Sequence, residues 1–239
     1  MSNILTLNGV NAYYGSSHIL FGVDLAVEKG RSACILGRNG VGKSTTMKTI
    51  CGAMNPKNHA RTEGSIRFGD KELVGMSPYQ IAQAGIAYVP QGRHIFSDLT
   101  TKENLLIARK KGPNGEQKWT LERIYELFPR LKERENSMGN KLSGGEQQML
   151  TVARGLMQNP TMILLDEITE GLAPIVVDQL AEIVSQLRKM NVSILVAEQS
   201  VKFALAVSDD CYILEKGNVV LHKPTAELTH EEILKYLGT

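Results

Sequence analysis

Short runs of apolar residues recur along the chain and predict strands that are buried on both faces. Strands inside a parallel sheet are covered on both sides, so they show continuous apolar runs rather than alternation. Four stretches have this character: SACILG (32–37), GIAYVP (85–90), TMILLD (161–166) and VSILVAE (192–198). Residues 176–190 instead place apolar side chains at the 3.6-residue period of a helix. Buried strands that alternate with helices predict an α/β core.

Rougher alternation and turn glycines predict antiparallel strands elsewhere in the chain. The stretches are ILTLNGVNAYYG (4–15), HILFGVDLAVEKG (18–30), GSIRFGDKEL (64–73) and CYILEKGNVVLHK (211–223), the last with its turn at 216–218. Residues 43–54 predict a helix, and residues 102–158 are mostly helical in pattern, with a break at 111–117. This helical stretch interrupts the α/β core.

Composition indicates an ordinary globular protein. The 239 residues carry a formal net charge of +2, with 42% hydrophobic and 22% charged residues. So small an excess of positive charge argues against a nucleic-acid-binding surface. The N-terminus has neither a basic segment nor a long apolar one, so we expect no signal peptide, and no apolar run is long enough to span a bilayer. Any membrane role is expected to come through a partner.

The cysteines and histidines predict neither a metal site nor redox chemistry. The three cysteines show no Cys-x-x-Cys spacing, and Cys34 and Cys211 lie in apolar runs, so we expect buried, reduced thiols. The five histidines show no spacing typical of metal ligands.

The stretch GRNGVGKST, directly after the first buried strand, has the Gly-x-x-x-x-Gly-Lys-Ser pattern of a phosphate-binding loop, or P-loop. Its residues are Gly37, Arg38, Asn39, Gly40, Val41, Gly42, Lys43, Ser44 and Thr45. The glycines allow successive N–H groups to turn towards phosphates, Lys43 reaches the terminal phosphates, and the Ser44 hydroxyl can bind Mg²⁺. A buried strand before the loop and a helix after it are the context that the motif requires, so we predict a nucleotide site.

A second strand end supplies two carboxylates. In TMILLDE (161–167), apolar residues bring Asp166 to the end of a buried strand, where a carboxylate can bind Mg²⁺ through water. Glu167 follows directly and is the candidate for orienting or deprotonating the attacking water. Two adjacent acids alone fit a solvated strand end, but the P-loop favours catalysis. The class of protein stays open at this point, because P-loops serve kinases, GTPases, helicases and transporters alike.

The stretch KLSGGEQQML (141–150) predicts a second anion site, at the start of a helix. Ser143 precedes Glu146 by three residues, which is the spacing of a capping box. The two glycines between them leave the backbone bare, so an anion can approach the N–H groups at the positive end of the helix. One chain thus carries two anion-binding stretches.

The segment LSGGE (142–146) resembles the signature sequence of ABC ATPases, and other elements of that family appear along the chain in the family's order. Tyr14 resembles the aromatic residue that stacks on adenine, and Gln91 resembles the glutamine that touches Mg²⁺. The resemblance implies that the chain binds ATP and Mg²⁺, with Ser44, Gln91 and Asp166 as the metal-binding residues.

The same resemblance implies a P-loop NTPase fold, with a RecA-like α/β core, an N-terminal antiparallel β-subdomain and an inserted helical subdomain. One ATPase domain is expected over residues 1–239, with the core in 1–91 and 159–239 and the signature subdomain in 92–158. Residues 170–173 occupy the position of the family's D-loop.

In this family two ATPase subunits associate head to tail. The resemblance implies that Ser143, Gly144 and Gly145 contact the γ-phosphate held by the P-loop of another subunit. ATP then closes the pair and hydrolysis opens it. Transmembrane permease subunits are the expected partners, with residues 93–96 as a candidate for the docking groove, and a periplasmic or lipid-anchored solute-binding protein takes part indirectly. The expected location is cytoplasmic, peripheral on the inner face of the plasma membrane, without nucleic acid.

Four segments resemble the ATPase subunits of uptake systems for branched-chain amino acids, urea and short amides: YVPQGRHIFSDLTTKENL, EGLAP, VAEQS and the terminal KYLGT. Gln199 stands where most ABC ATPases have a switch histidine; it can donate a hydrogen bond but cannot shuttle a proton near neutral pH. We therefore expect Gln199 to contact the γ-phosphate and Glu167 to act as any proton acceptor. Ile168 replaces the usual proline, and we expect no effect from it.

Alternative functions remain at this stage. A non-transport ABC ATPase of nucleic acids or ribosomes is disfavoured by the weak net charge and the single cassette. A small-molecule kinase shares the P-loop but gives no reason for LSGGE. An exporter subunit is harder to exclude. The sequence leaves open whether the dimer partner is an identical chain or a paralogue; the subfamily typically pairs two different ATPases, which favours a paralogue.

Overall fold

The computed structural model describes residues 2–54 and 59–238. The strands in this part of the chain are β1 (Asn3–Tyr14), β2 (Ser17–Glu28), β3 (Ser32–Leu36), β4 (Ala60–Phe68), β5 (Lys71–Glu72), β6 (Ile86–Val89), β7 (Met162–Asp166), β8 (Ser193–Glu198), β9 (Asp210–Glu215) and β10 (Asn218–Pro224). The α-helices are α1 (Lys43–Ile50), α2 (Pro78–Ala84), α3 (Thr101–Ile107), α4 (Leu121–Leu127), α5 (Pro129–Glu133), α6 (Gly144–Leu156), α7 (Pro174–Lys189), α8 (Val201–Val207) and α9 (His230–Leu237). Short 3-10 turns occupy Gly139–Lys141 and Thr225–Glu227.

The larger sheet has six strands in the order β10-β9-β3-β8-β7-β6. All its neighbouring pairs are parallel except β9 with β10, which form the predicted hairpin. Every residue of β3, β7 and β8 is buried, as the continuous apolar runs predicted. Leu36 pairs with Glu198, and Asp166 pairs with Ala197. The carboxyl ends of these three strands therefore meet at one edge, where ligands bind in open parallel sheets.

The smaller sheet is antiparallel, in the order β2-β1-β4-β5, as predicted for the N-terminal stretches. Its apolar face packs with α1 and with one face of the larger sheet, and the shared core includes Leu20, Met47 and Leu164. Helix α1 is thereby held between two sheets. The P-loop at its start is anchored by both of them.

The other face of the larger sheet is covered by helices, with Leu150, Val184 and Phe203 in a common apolar core with Ile194. Helix α6 lies close against β6, since a Cβ added at Gly155 would come within 2.8 Å of the Val89 side chain. The predicted helical stretch is thus joined to the sheet through α6. Within residues 2–54 and 59–238, no helix combines the length and apolar character needed to cross a bilayer.

Several details differ from the sequence-based expectations. The helix predicted over 43–54 ends at Ile50, where Cys51 leaves the helical conformation and a turn follows. Helix α7 begins two residues earlier than predicted, with a proline in its first turn. Helices α2, α8 and α9 were not predicted, because each spans only about two turns. Thr239, part of the KYLGT segment, lies outside the described residues.

The cysteines are free and buried, as expected. Cys34 and Cys211, far apart in sequence, lie directly opposite each other on β3 and β9. Their contact and their burial raise the pKa of the Cys34 thiol well above its usual range. Both are therefore core residues of the larger sheet.

Candidate functional site

The P-loop connects β3 to α1 with a backbone that requires glycine. A Cβ added at Gly37 would lie 2.6 Å from the carbonyl oxygen of Leu214, and one at Gly42 would lie 2.7 Å from the Leu20 side chain. Gly42 also has a left-handed φ of 112° and leaves α1 without a capping side chain. The loop and its surroundings enclose a pocket of about 240 Å³, lined by Ile19, Gly40, Gly42, Lys43, Ser44, Thr45 and Glu167. The free N–H groups at this helix start are suited to bind an anion.

The side chain of Lys43 is buried among acceptors, with only 3% of its surface exposed. Its Nζ donates to the carbonyl oxygens of Gly37 and Arg38 over 3.0 and 3.1 Å. It also forms an ion pair with the Glu167 Oε1 at 2.8 Å. The structure thus joins the predicted phosphate-binding lysine to the predicted catalytic glutamate. A phosphate bound by Lys43 would compete with Glu167 for this ammonium group.

The side chain of Arg38 turns away from the P-loop pocket. Its Nε donates to the carbonyl oxygen of Leu237 over 3.2 Å, at the end of α9. The C-terminal helix is therefore tied to the P-loop, a contact that the sequence did not predict. The predicted role of Arg38 in nucleotide binding rests on its backbone.

Asp166 is held by two hydroxyl groups. The Ser44 Oγ donates to its Oδ1 over 3.0 Å, and the Tyr88 hydroxyl donates to its Oδ2 over 2.9 Å. Burial raises the pKa of the Asp166 carboxyl, and the two hydrogen bonds act in the opposite direction. Burial also raises the pKa of Tyr88, so its hydroxyl keeps its proton and donates. Tyr88 is a site residue that the sequence analysis missed, because its role depends on the pairing of β6 with β7.

The oxygen atoms at this edge suit Mg²⁺, which prefers oxygen ligands and usually keeps phosphates and waters among them. Ser44 and Asp166 place a hydroxyl and a carboxylate together. In the described parts of the chain, no three His, Cys, Asp or Glu side chains are grouped to hold a metal ion by themselves. The residues present therefore fit a Mg²⁺ ion that is bound jointly with a phosphate.

Glu167 adopts a left-handed conformation, with φ of 46°. Such a conformation is uncommon for a residue other than glycine and costs of the order of 1 kcal/mol or more. Its backbone N donates to the Ala197 carbonyl oxygen over 2.8 Å, which helps to hold the turn. The strained turn bends the chain after β7, so that the side chain reaches Lys43.

Glu198, at the end of β8, is a buried acid that the sequence analysis did not select. Its two carboxylate oxygens accept from the backbone N and the Oγ1 of Thr169, over 3.1 and 2.9 Å. Burial raises its pKa to about 7.

Gln199 follows Glu198 and is exposed. A cavity of about 450 Å³ is lined by Glu167, Thr169, Glu170, Glu198, Gln199, Ser200 and Val201. The structure thus brings Gln199 and Glu167 to one cavity, while their roles in ATP hydrolysis stay predictions.

Gln91 and the P-loop residues do not bond directly in the described chain. The Gln91 Nε2 donates to the Glu170 Oε2 over 2.8 Å. Two residues later, the Arg93 Nη2 donates to the Gly171 carbonyl oxygen over 3.2 Å. The predicted metal-binding glutamine is therefore attached to the predicted D-loop.

The structure distinguishes Tyr14 from its neighbour Tyr13. Tyr14 packs against the core that holds α1. Tyr13 is sandwiched between its neighbours on the adjacent strands: the His18 ring is stacked 4.2 Å away, and the Arg61 guanidinium lies 3.7 Å from the ring centroid. Tyr14, rather than Tyr13, therefore lies on the side of the sheet that packs with the P-loop helix, and its stacking on adenine stays a prediction.

The signature stretch forms the predicted capping box. The Glu146 Oε2 accepts from the Ser143 N over 2.8 Å, and the Ser143 Oγ accepts from the Glu146 N over 3.4 Å. Arg130 and Arg134 approach the Glu146 Oε1 at 3.1 and 3.5 Å. No signature residue is among those that line the P-loop pocket in the described chain.

The two signature glycines are also packing positions. A Cβ added at Gly144 would lie 2.5 Å from the Arg93 Nη1, and one at Gly145 would lie 2.9 Å from the Val176 side chain. The start of α6 is thus wedged between the segment after Gln91 and the start of α7. From the sequence alone, the predicted role of these glycines is only to leave the backbone open to an anion.

Comparison with known proteins identifies the family. A sequence model of the family described as "ABC transporter" matches residues 20–170. The chain is 41% identical, over 98% of its length and 100% of the relative's, to the high-affinity branched-chain amino acid transport ATP-binding protein BraG of Pseudomonas aeruginosa. It is 34% identical, over 93% of both chains, to a probable branched-chain amino acid transport ATP-binding protein, LivF, of Archaeoglobus fulgidus.

Other matches extend the comparison. The lipopolysaccharide export system ATP-binding protein LptB of Escherichia coli is 31% identical over 100% of this chain and 98% of its own. Among solved structures, the ADP conformation of an ATP-binding cassette of an ABC transporter superposes with a TM-score of 0.81, at 28% identity, over 100% of this chain and 96% of that one. The predicted fold class and family are confirmed. The chain belongs to the ABC transporter family, as an ATP-binding cassette ATPase with the P-loop NTPase fold.

Proposed function

We propose that this chain is the ATP-hydrolysing subunit of an ABC importer for branched-chain amino acids or a related small polar solute such as urea or an amide. The observation that carries the proposal is 41% identity to BraG over the whole of that relative. The local residues support the same proposal, because the segments around Gln91, the D-loop and Gln199 resemble those of the subfamily.

The ion pair between Lys43 and Glu167 supports an exchange during the ATPase cycle. A γ-phosphate has more charge and more acceptor oxygens than one carboxylate, so it replaces Glu167 as the partner of the Lys43 ammonium group. Glu167 then leaves its ion pair and is available to orient and deprotonate water. Gln199, in the same cavity, donates a hydrogen bond to the γ-phosphate. Ser44, Asp166 and Gln91 would hold Mg²⁺, which would neutralise phosphate charge when bound.

The second half of the site comes from another subunit in this proposal. Among the described residues, no signature residue lines the P-loop pocket, while the Ser143 hydroxyl lies at the start of helix α6. Head-to-tail pairing places this helix start of one subunit against the nucleotide of the other. ATP stabilises the closed pair because it binds that state in preference to the open one. The partner is a paralogous or identical chain, and the subfamily resemblance favours a paralogue.

The helical region, residues 92–158 of a single domain, is proposed to dock on the permease subunits. The Phe96 ring is 47% exposed, and the Arg154 guanidinium lies 4.6 Å from its centroid. An exposed aromatic residue on a supported loop is suited to an apolar contact. This docking places the chain at the inner face of the plasma membrane, and a periplasmic or lipid-anchored binding protein delivers the solute.

The alternative is the ATPase of another type of ABC transporter. The 31% identity to LptB, an export system subunit, over the full chain favours this possibility above the remaining ones. Co-purification separates the two. A complex with two permeases that supports uptake of leucine or urea into vesicles is expected, whereas a complex active only in outward transport would favour the alternative.

The dimeric site is tested with two matched substitutions. Ser143→Ala and Thr100→Ala each remove the hydroxyl of a capping box, at α6 and α3. Each should lower the free energy of unfolding by about 1 kcal/mol. Only Ser143→Ala should also reduce ATP turnover, with nucleotide binding to the single chain unchanged. When each substitution is combined with Glu167→Gln, added ATP should cause a dimer to accumulate in the variant with Thr100→Ala. The variant with Ser143→Ala should not form this dimer. Equal turnover in the two variants would contradict the proposal.

A further inference from the structure

The orientation of the Gln91 amide is set by a carboxylate of the D-loop. The Gln91 Nε2 donates to the Glu170 Oε2 over 2.8 Å. A carboxylate accepts hydrogen bonds but donates none, so the –NH₂ end of the amide has to face Glu170. The Gln91 Oε1 is therefore turned to the opposite side of the amide group. One hydrogen bond fixes which end of this side chain is available to a ligand.

Glu170 is itself held in place through both of its neighbours in the chain. Thr169 donates two hydrogen bonds to the buried Glu198, over 3.1 and 2.9 Å. The carbonyl oxygen of Gly171 accepts from the Arg93 Nη2 over 3.2 Å. Because the backbone is anchored before and after it, the exposed Glu170 carboxylate presents its oxygen at a defined position.

The contacts of Gln91 and Arg93 join the same two segments twice. Residues 91–93 follow β6, and residues 170–171 follow β7, with side chains crossing in both cases from the first segment to the second. Two tethers restrict rotation of one segment against the other, which a single exposed hydrogen bond would not do. The orientation of the Gln91 side chain is thus set before any ligand binds.

We propose that Glu170 is a positioning residue for Gln91, which orients the amide so that its Oε1 is presented to Mg²⁺. The inference rests on the proposed function, which assigns Gln91 to the metal. Hard cations take oxygen rather than nitrogen ligands, so an amide turned the other way would present the wrong atom. Outer-shell groups that fix the orientation of a metal ligand commonly change metal affinity by about 10- to 100-fold. Since Glu170 belongs to the D-loop, a subunit that displaces this loop also changes the metal site.

The experiment measures the metal contribution to nucleotide binding rather than turnover. A fluorescent ATP analogue is titrated into the full chain carrying Glu167→Gln, once with excess Mg²⁺ and once with EDTA. The dissociation constant in EDTA divided by the constant in Mg²⁺ reports how much the metal strengthens nucleotide binding. Glu170→Ala should reduce this ratio about tenfold and leave the constant in EDTA unchanged. Glu170→Gln, which keeps an acceptor but no longer fixes the amide, should give an intermediate ratio.

Two further variants make the outcome decisive. Glu126→Gln removes an exposed carboxylate of α4 and should change neither constant. Gln91→Ala should reduce the ratio as Glu170→Ala does, and the double variant should show no additional loss, because both act through one group. If Gln91→Ala has no effect, the assignment of Gln91 in the proposed function fails. If Gln91→Ala reduces the ratio and Glu170→Ala does not, the inference alone is overturned. A changed constant in EDTA for Glu170→Ala would also overturn it.

Discussion

Helices α1 and α6 both begin at predicted phosphate sites, but their first turns are built differently. Helix α1 follows a left-handed glycine and has no capping side chain. Helix α6 has a complete capping box, and its Glu146 is paired with two arginines. The first leaves its N–H groups to a ligand, whereas the second satisfies part of its own. This difference agrees with the proposal that the P-loop is the primary anion site and that the signature stretch meets a second ligand group.

The capping box alone does not mark a binding site. The same arrangement starts α2, α3 and α9, none of which is predicted to bind phosphate. What sets α6 apart is the pair of glycines, which pack against Arg93 and Val176. A local sequence pattern can therefore indicate where a helix starts, while its neighbours decide what that start does.

The largest effect is expected at the P-loop. Lys43→Met removes the ammonium group that binds the phosphates, so nucleotide affinity should fall at least ~100-fold, corresponding to the loss of charge-assisted hydrogen bonds. The measurement is titration with a fluorescent ATP analogue. Lys48→Met, on the exposed side of the same helix, is the matched control and should bind normally. Comparable losses in both variants would show that the comparison between the two helix starts is wrong.

The next effect concerns the ion pair beside the P-loop. Glu167→Ala leaves Lys43 buried with carbonyl partners only, and removal of one member of such a pair costs about 3 kcal/mol, or roughly 6–12 °C in melting temperature for a chain of this size. Glu167→Gln keeps an acceptor and should lose less. Added ATP should reduce the difference in melting temperature between Glu167→Ala and the wild type, since a phosphate then replaces the missing carboxylate beside Lys43. A melting temperature equal to that of the wild type would contradict the pairing.

Glu198 makes the stability of the P-loop edge depend on pH in the opposite sense to the signature end, where the pKa of Glu146 is lowered. Burial raises its folded-state pKa to about 7 from an ordinary value of 4.5, so the folded chain binds more protons than the unfolded chain between these values. The resulting loss of stability as the pH rises from about 4.5 to 7 is about 1.4 kcal/mol for each unit of the pKa shift. Glu198→Gln should make the melting temperature less dependent on pH over this range. An unchanged slope would show that Glu198 does not titrate there.

The smallest effect tests the packing of the signature glycines. Gly144→Ala forces its Cβ against the Arg93 guanidinium and should cost about 1 kcal/mol, measured by chemical denaturation. In an Arg93→Ala background the same substitution should cost less, because the contact is gone. Additive losses in the double variant would mean that Arg93 does not limit the size of residue 144.

The predictable part of this molecule is the part governed by local patterns. Buried strands such as β3 and β7 show as continuous apolar runs, and the acids of the site follow one of those runs directly. Helix α2 was not predicted, because its seven residues give too few positions to show a helical period. Its N-terminus nevertheless has a recognisable capping sequence at Ser77, Pro78 and Gln80. Element ends were also less accurate than element types, as α1 shows.

The contacts that link distant segments could not be predicted. Tyr88 reaches Asp166 across a pairing of strands 78 residues apart, and Glu198 anchors Thr169 across 29 residues. A sequence gives no distance between such residues until the sheet order is known. The sequence indicated which residue types carry the chemistry, and the fold determined which neighbours orient them.

The bond from Arg38 to the end of α9 has a practical consequence for work with this protein. The carbonyl oxygen of Leu237 is a hydrogen-bond partner of the phosphate-binding loop. A variant shortened to end before α9 would therefore lack a hydrogen-bond partner of this loop.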